Sequence, residues 1–414
     1  MALKTSTSLC YPLSRSWKLM FIQPVLNFLH RSVTGTEAVY GMDCLIQFED
    51  FANINAFRLL SKYRNKYCTF NDDIQDEGTV VEEEAIPPKA TEKAIRQVEK
   101  SYRDKGTAAV AVAGLLAALR ITKSKMSNHT ILFQGAGEVR ATVAAMGIAE
   151  LISMAMEKEG LGKEESLKKI WMVDSKGLIV KGRDNLTHEK VRFAHEHPPM
   201  RNLEDVVRDL KPTAIIGVAA VAGAFSERII RDMASFNERP IIFALSNPTS
   251  KAECTAEQCY TFTEGRGIFA SGSPFDAVTL PDGRTFYPGQ GNNAYIFPGV
   301  GRGVTACAFR HITEDVFLTA AEVLADQVTD KDLAEGRLYP PLSSIREVSL
   351  KLAAKIMDYA YHHKMATLRP EPSDKEAHIR SICYSTDYDD FAIDSYQWPE
   401  DCIAVQSQCS DFML

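Results

Sequence analysis

The sequence lacks the features of disulfide-rich, membrane-spanning or nucleic-acid-binding proteins. None of its 9 cysteines forms a Cys-x-x-Cys motif, and the spacing of Cys254 and Cys259 fits neither a zinc knuckle nor a redox dithiol. Its longest apolar run, Ala108–Leu119, is shorter than the roughly 20 residues that a membrane-spanning helix needs. The net charge of −7 leaves no basic surplus for a phosphate backbone. We therefore expect reduced thiols in an intracellular compartment, no membrane span and no nucleic-acid partner.

Acidic residues are absent before Glu37. The charged residues of that segment are Lys4, Arg15, Lys18 and Arg31, set among many Ser and Thr. This composition is typical of a mitochondrial transit peptide, although a disordered tail or an unrelated exon could share it. We treat residues 1–38 as a leader and expect location in the mitochondrial matrix, with the cytoplasm as the alternative.

What is present is the alternation of an α/β protein. Short runs rich in Ile, Val and Phe recur between helical stretches, at 44–48, 130–134, 170–173, 214–218, 241–245 and 268–270. Such runs predict a doubly wound parallel sheet with both faces covered. After Asn293, apolar residues at three- and four-residue spacing predict helices over 316–327 and 344–362. Prolines among polar residues predict an irregular tail over the last fifty residues.

One strand-to-helix turn has the form of a dinucleotide site. The run 130–134 leads into Gly135-Ala136-Gly137-Glu138, where a Rossmann-type unit would place the pyrophosphate against a helix N-terminus. The next strand ends at Asp174, where an acid would meet a ribose hydroxyl. In the sequence, Asp174 lies further from Gly137 than the roughly 20 residues that usually separate the glycine turn of a dinucleotide motif from its acid. A Gly-x-Gly sequence is also a common tight turn. The interpretation as a dinucleotide site therefore depends on the small residues that follow three later strands, because they leave room for a cofactor.

Two acidic pairs follow neighbouring apolar runs. Glu49-Asp50 follows 44–48, and Asp72-Asp73 follows 67–70. Carboxylates at the ends of two adjacent strands could bind Mg²⁺ or Mn²⁺. Each pair could equally be a helix cap or a solvated corner. From the residues alone, the prediction is a metal-assisted dinucleotide enzyme.

Long strings in the sequence resemble the malic enzymes, in the family's order. They are CLIQFEDFAN (44–53), YCTFNDDIQ (67–75), VDSKGL (173–178), LSNPT (245–249) and GQGNN (289–293). The resemblance extends over 39–400, and RDMASF (231–236) and TEGRGI (263–268) look closest to the NADP-dependent mitochondrial form. It implies oxidative decarboxylation of L-malate to pyruvate and CO₂, with reduction of NADP or, as the alternative, NAD. It also implies a homo-oligomer.

The resemblance also assigns roles to residues. Glu49, Asp50 and Asp73 match the ligands of the Mg²⁺ or Mn²⁺ ion, and Asp72 matches the residue that assists the general base.

The cofactor and substrate positions are carried over in the same way. Asn247 and Asn293 match the asparagines that contact substrate and nicotinamide; both are assigned to the substrate site, and Asn247 is assigned to the cofactor site as well. The pyrophosphate turn is Gly135, Ala136, Gly137 and Glu138; Asp174 faces the adenosine ribose, and Ser175 and Lys190 lie near the 2′-phosphate of NADP.

The matched segments imply a division of the chain. After the leader, 39–71 is a remnant of the metal and substrate domain, 72–292 is the NAD(P)-binding domain, 293–365 is a helical return to the substrate domain, and 366–414 is a tail. The implied fold is thus a Rossmann-type α/β sheet with a partial flanking domain.

The sequence also departs from the family pattern. The region that carries the family's catalytic tyrosine, lysine and malate-binding arginine has no counterpart before Cys44, and 76–105 is inserted after Gln75. The alternative function is therefore a truncated, catalytically incompetent homologue that retains nucleotide or partner binding. Another metal-assisted 2-hydroxy-acid dehydrogenase is a third reading, which the literal strings disfavour.

A second insertion, Val139–Val143, enters the helix that follows the glycine turn and puts Arg140 at the third glycine position. Five residues rotate a helix by about 500°. We therefore expect a misdirected apolar face and weakened dinucleotide binding.

Overall fold

The computed structural model describes residues 105–136, 139–184, 186–309 and 312–383, together with two short strands before them. Those strands, β1 (Ile46–Phe48) and β2 (Thr69–Asn71), pair in parallel with Phe48 opposite Asn71. Within the other described ranges, the strands are β3 (Ile131–Gln134), β4 (Ile170–Asp174), β5 (Gly177–Leu178), β6 (Ala214–Gly217), β7 (Ile241–Ala244), β8 (Ile268–Ser271), β9 (Val278–Thr279), β10 (Thr285–Phe286) and β11 (Gly289–Gln290).

The ranges from residue 105 onward also contain α-helices. They are α1 (Lys105–Thr122), α2 (Val139–Lys158), α3 (Lys163–Lys168), α4 (His188–Val191), α5 (Leu203–Leu210), α6 (Glu227–Phe236), α7 (Ala256–Phe262), α8 (Phe297–Ala306), α9 (Glu314–Asp326), α10 (Asp330–Ala334), α11 (Ile345–His362) and α12 (Lys375–Ile382). Among the described residues, no helix combines the length and apolarity needed to cross a membrane.

Seven of the strands form one sheet. Its order is β11-β8-β7-β6-β3-β4-β5, and every pairing is parallel except that of β5 with β4. The separate hairpin of β9 and β10 is antiparallel. Buried aliphatic residues dominate the central strands, as expected where helices cover both faces of a sheet.

The two faces of the sheet bury different helices. On β3, Ile131 and Phe133 face a core formed with α1, α2, α8, α9 and α11, whereas Leu132 faces a second core formed with α5, α6 and α7. Alternation of this kind follows from the two-residue period of a strand. The predicted doubly wound α/β fold is confirmed.

The apolar run Ala108–Leu119 is the centre of α1. Ala109, Val112, Ala113 and Ala117 have no exposed surface, so the helix is buried nearly all round. A helix apolar on every side belongs in the core of a protein or in a membrane. Here it lies in the protein core.

Helix α2 corrects one expectation. It runs from Val139, and Ala145, Ile148, Ala149 and Ile152 beyond the insertion are fully buried. The expected misdirection of the apolar face is therefore wrong. Burial of these side chains fixes the helix against the core, so the additional residues extend the helix at its start, next to the glycine turn.

The helices expected after Asn293 are also present, as α9 and α11, within two residues of the predicted starts and ends. The tail differs from the irregular structure predicted for it, because α12 forms within it. Asp374 caps this helix by accepting a hydrogen bond from the Ala377 N–H at 2.9 Å, and Ile379 is fully buried. The predicted domain boundaries stay predictions.

Candidate functional site

The sheet has its topological switch point between β3 and β6. From β3 the chain goes to β4 on one side, and the later strands β6, β7 and β8 lie on the other side. In an open parallel sheet, ligands bind outside the carboxyl ends of the strands at this point. The residues that come directly after these strands are Gly135 after β3, Val218 after β6, Leu245 after β7 and Gly272 after β8.

The turn after β3 is tightly packed. Gly135 has a φ of +131°, and a Cβ atom there would lie 2.7 Å from the Ala219 nitrogen. The N–H groups of Gly135 and Ala136 both donate to the Val173 carbonyl, at 3.0 and 3.1 Å. Glycine is required because any side chain would collide with the loop after β6. Gly137 and Glu138 lie outside the described residues.

Asp174 ends β4 and is held by two cations. Its Oδ2 accepts hydrogen bonds from Arg183 and from Nζ of Lys190, the latter at 2.9 Å. Its Oδ1 accepts the N–H of Lys176 at 2.8 Å. The side chain of Asp174 is only 4% exposed, and that of Lys190 is 11% exposed. Burial alone would raise the pKa of Asp174, but the hydrogen bonds from Arg183, Lys190 and Lys176 hold the pKa below its usual value.

Ser175 follows Asp174 in the turn to β5 and is exposed. Lys190 is supplied by α4, whose N-terminus is capped by the Thr187 side chain. The structure therefore brings the acid and the ammonium predicted for the adenosine end into direct contact, with the predicted hydroxyl next in the chain. Arg183, which also donates to the carbonyls of Gly177 and Leu178, was missed from the sequence.

Asn247 and Asn293 meet at a second place in the crevice. Both line a cavity of about 110 Å³, whose other walls are Thr107, Val110, Ala111, Leu245, Gly272, Gly291 and Asn292. The Ser273 hydroxyl donates to Oδ1 of Asn247 at 2.7 Å. That bond occupies one lone pair of the oxygen and orients the amide group, whose N–H groups are the donors that Asn247 can offer to a ligand. Two asparagines 46 positions apart in the chain thus line one cavity, and their contacts with substrate and nicotinamide stay predictions.

Sequence reasoning also missed Glu253, which is fully buried between the loops that follow β6 and β7. Its Oε1 accepts the N–H of Ala219 at 3.1 Å and a hydrogen bond from the Ser246 hydroxyl. Burial raises its pKa, and these hydrogen bonds offset that effect in part. An acid two residues after a 3₁₀ turn and two residues before a helix cap carries no signal of burial, so only the three-dimensional packing reveals it.

The predicted metal ligands Glu49, Asp50 and Asp73, and the supporting residue Asp72, lie outside the described residues. Within the part of the chain that the structure describes, no group of three or more His, Cys, Asp or Glu could hold a metal ion.

Comparisons with known proteins agree with this architecture. Residues 105–361 match the family model described as "Malic enzyme, NAD binding domain". The NADP-dependent malic enzyme of Homo sapiens is 63% identical over 382 residues, which cover 92% of this chain and 61% of that protein. The mitochondrial NADP-dependent malic enzyme of Homo sapiens is 62% identical over 368 residues, 89% of this chain and 55% of that protein.

The chain therefore spans about 60% of the length of these relatives. Their nearly equal identities do not single out the mitochondrial form. Among solved structures, the malic enzyme of Entamoeba histolytica superposes with a TM-score of 0.59 at 20% identity, over 85% of this chain and 60% of that chain. That likeness shows the fold alone.

Proposed function

The chain belongs to the malic enzyme family, and on that premise we propose that it acts in the NADP-dependent oxidative decarboxylation of L-malate to pyruvate and CO₂. The observation that carries the proposal is the cavity shared by Asn247 and Asn293. It lies at the carboxyl ends of β7 and β8, on the opposite side of β3 from Asp174 and Lys190. One crevice thus offers separate ends for the nicotinamide and the adenosine of a dinucleotide.

The substrate end of the proposal rests on the amide groups. With Oδ1 of Asn247 held by Ser273, its N–H groups are left to donate to a carboxylate or to the carboxamide of nicotinamide. Asn293 begins a 3₁₀ turn that the Asn292 side chain caps at the Ala294 N–H, 2.8 Å away, which fixes its backbone. Both asparagines would therefore orient C2 of malate toward the nicotinamide rather than take up a proton.

The choice of NADP over NAD rests on Lys190. Its ammonium would pair with a 2′-phosphate, and the exposed hydroxyl of Ser175 would donate to it. Asp174 would face the ribose, as an acid does in dinucleotide sites. NAD is the alternative, because an acid in that position also suits a free 2′-hydroxyl. The names of the relatives at 62–63% identity favour NADP.

We propose Mg²⁺ or Mn²⁺ as the second cofactor, held by Glu49, Asp50 and Asp73, with Asp72 assisting the general base. The parallel pairing of β1 and β2 supports this set, since Phe48 lies opposite Asn71 and each acidic pair comes next in the sequence after one of these residues. Carboxylate oxygens are the donors that these ions prefer. When bound, the ion would act as a Lewis acid that takes up charge as CO₂ leaves.

The biological setting is proposed from the same sources. The basic composition of residues 1–38 favours the mitochondrial matrix, where one of the relatives is named, and the cytoplasm is the alternative. Malate and pyruvate are the proposed small-molecule partners, and a homo-oligomer is the proposed assembly.

Turnover of malate by the purified full chain tests the proposal. We expect NADPH, pyruvate and CO₂ in equal amounts from L-malate, NADP and Mn²⁺, none from D-malate, and none after chelation of the metal. The Asn247→Ala variant should lower kcat/KM by about 100-fold, within the range for lost positioning. NADP binding without any turnover would instead support the catalytically incompetent homologue. Absence of both NADP binding and turnover would overturn the proposed activity and the nucleotide-binding homologue alike.

A further inference from the structure

We propose that Glu253 is a positioning residue that ties the loop after β6 to the loop after β7 and so shapes the nicotinamide half of the crevice. The proposal rests on the nucleotide-binding function proposed above. It concerns a residue that is not among those lining the cavity of Asn247 and Asn293 and that would touch no ligand.

A chain of hydrogen bonds links the two loops through this carboxyl group. Oε1 of Glu253 accepts the N–H of Ala219, 3.1 Å away, and also the hydroxyl of Ser246. Oγ of Ser246 in turn accepts the N–H of Ala220 at 2.8 Å. Ser246 directly precedes Asn247 in the chain. The same network therefore fixes the loop that faces the glycine turn and the residue beside the substrate asparagine.

Backbone bonds extend the link. The N–H of Gly223 donates to the Ala252 carbonyl at 3.1 Å, and the N–H of Phe225 donates to the carbonyl of Glu253 at 3.0 Å. Every one of these contacts of the loop after β6 is made to residues 246–253. The loop 219–225 is thus fastened to one segment, and Glu253 supplies both a side-chain and a backbone acceptor to it.

The loop needs to be fastened because its conformation is unfavourable by itself. Ala220 has a φ of +54°, which costs a residue other than glycine on the order of 1 kcal/mol. Val221 at the tip is 53% exposed although it is apolar. The loop therefore depends on its contacts with residues 246–253 to hold this conformation.

The carboxyl group is packed too closely to be replaced by water. A Cβ atom on Gly217 would lie 2.5 Å from the Glu253 carboxyl carbon, and Oε2 of Glu253 is buried with no partner among the described residues. Gly217 thus leaves room for this side chain at the end of β6. A glutamine can occupy the same space, keep the Oε1 acceptor and remove any charge, whereas leucine would fill the space with no acceptor.

The position of the link predicts which part of a nucleotide it affects. Glu253 lies on the β6 and β7 side of β3, whereas Asp174 and Lys190 lie on the β4 side. The fragment 2′,5′-ADP carries only the adenosine end of NADP. A positioning role therefore predicts a loss of affinity for NADP and none for the fragment, while general unfolding would weaken both.

Calorimetric titration of the full chain with NADP and with 2′,5′-ADP tests the proposal. We expect Glu253→Leu to weaken NADP binding about tenfold, as loss of two hydrogen bonds of ordinary strength would, with 2′,5′-ADP unchanged within about twofold. Glu253→Gln should restore NADP binding to within about twofold of the wild-type protein. Ser246→Ala, which keeps Glu253, should show a smaller loss confined to NADP, and it carries the test if the leucine variant does not fold.

The outcomes separate the two proposals. Failure of the wild-type chain to bind NADP would overturn the proposed function. If the wild-type chain binds NADP, three results would each overturn the role of Glu253 alone. They are wild-type NADP affinity in both Glu253→Leu and Ser246→Ala, equal losses of affinity for NADP and 2′,5′-ADP, and no recovery of NADP affinity in Glu253→Gln.

Discussion

Nζ of Lys190 lies 2.9 Å from Oδ2 of Asp174, and both side chains are nearly buried. The same oxygen accepts a hydrogen bond from Arg183. The acid that ends β4 is therefore neutralised by two cations, and the proposed function makes one of them, Lys190, the partner of the 2′-phosphate of NADP. Under that proposal, nucleotide choice and the stability of the β4 edge of the sheet depend on the same ion pair.

Lys190→Gln separates the two nucleotides. Removal of the ammonium should weaken NADP binding about tenfold or more, because hydrogen bonds to charged groups contribute about 1.5–3 kcal/mol. NAD affinity should stay within about twofold, since NAD lacks the phosphate. Calorimetric titration with both nucleotides measures the effect. The matched control is Lys181→Gln, since Lys181 is 61% exposed and pairs with Glu196 on the surface. Equal losses of affinity for NAD and NADP in Lys190→Gln would count against the assignment of Lys190 to the 2′-phosphate.

Asp174→Asn tests the ion pair through pH. The hydrogen bonds of Asp174 hold its folded-state pKa below its unfolded value of about 3.9 despite burial. The stabilisation of the fold by ionised Asp174 is therefore complete above the unfolded-state pKa and is lost as the pH falls through the lower folded-state pKa. At pH 6 the variant should unfold more easily by about 3 kcal/mol, since it leaves buried cations unpaired. Urea unfolding should show this difference shrinking below about pH 4, and a difference independent of pH would contradict the account.

Gly135→Ala tests the turn at the switch point. A methyl group there would meet the loop after β6, and the φ of +131° is unfavourable for alanine. We expect a lower melting temperature and a loss of NADP binding of at least tenfold. Gly182→Ala is the control, because Gly182 also has a positive φ, +78°, but has nothing within 4 Å of a Cβ atom. Its melting temperature should fall slightly and its NADP affinity should be unchanged; a similar loss of affinity in both variants would refute the steric argument.

Deletion of Val139–Val143 tests the helix-start insertion. The residues beyond it keep their burial in α2, so the deletion should leave the melting temperature nearly unchanged. It should tighten NADP binding severalfold, because Ala145 would replace Arg140 at the third glycine position, where close packing of the helix against the turn requires a small residue. Unfolding of the deletion variant, or weaker NADP binding by a folded one, would contradict this view.

The sequence predicted those features that depend on local pattern. The run 130–134 predicted β3 to within one residue, and the predicted helices 316–327 and 344–362 match α9 and α11 closely. Period and composition suffice there, because each element presents a continuous apolar face to one core. The shared cavity of Asn247 and Asn293 required more, namely literal strings of a known family.

The features that were missed depend on contacts between distant segments. Arg183 lies in an irregular stretch, and nothing in the sequence marks it as a partner of Asp174. Glu253 follows a polar segment and would be placed on the surface by composition, yet Gly217 on β6 leaves the space that buries it. The misplaced expectation for α2 has the same origin, because core packing rather than the count of residues set its register.

Titration of the full wild-type chain with NADP and NAD, in parallel and under the same salt conditions, tests the central claim most directly. The claim is that the crevice between β3 and β6 holds NADP, with its 2′-phosphate at Lys190. We predict binding of NADP with a micromolar Kd, weakened by the insertion, and at least tenfold weaker binding of NAD. Equal affinity for the two nucleotides, or binding of neither, would contradict the account.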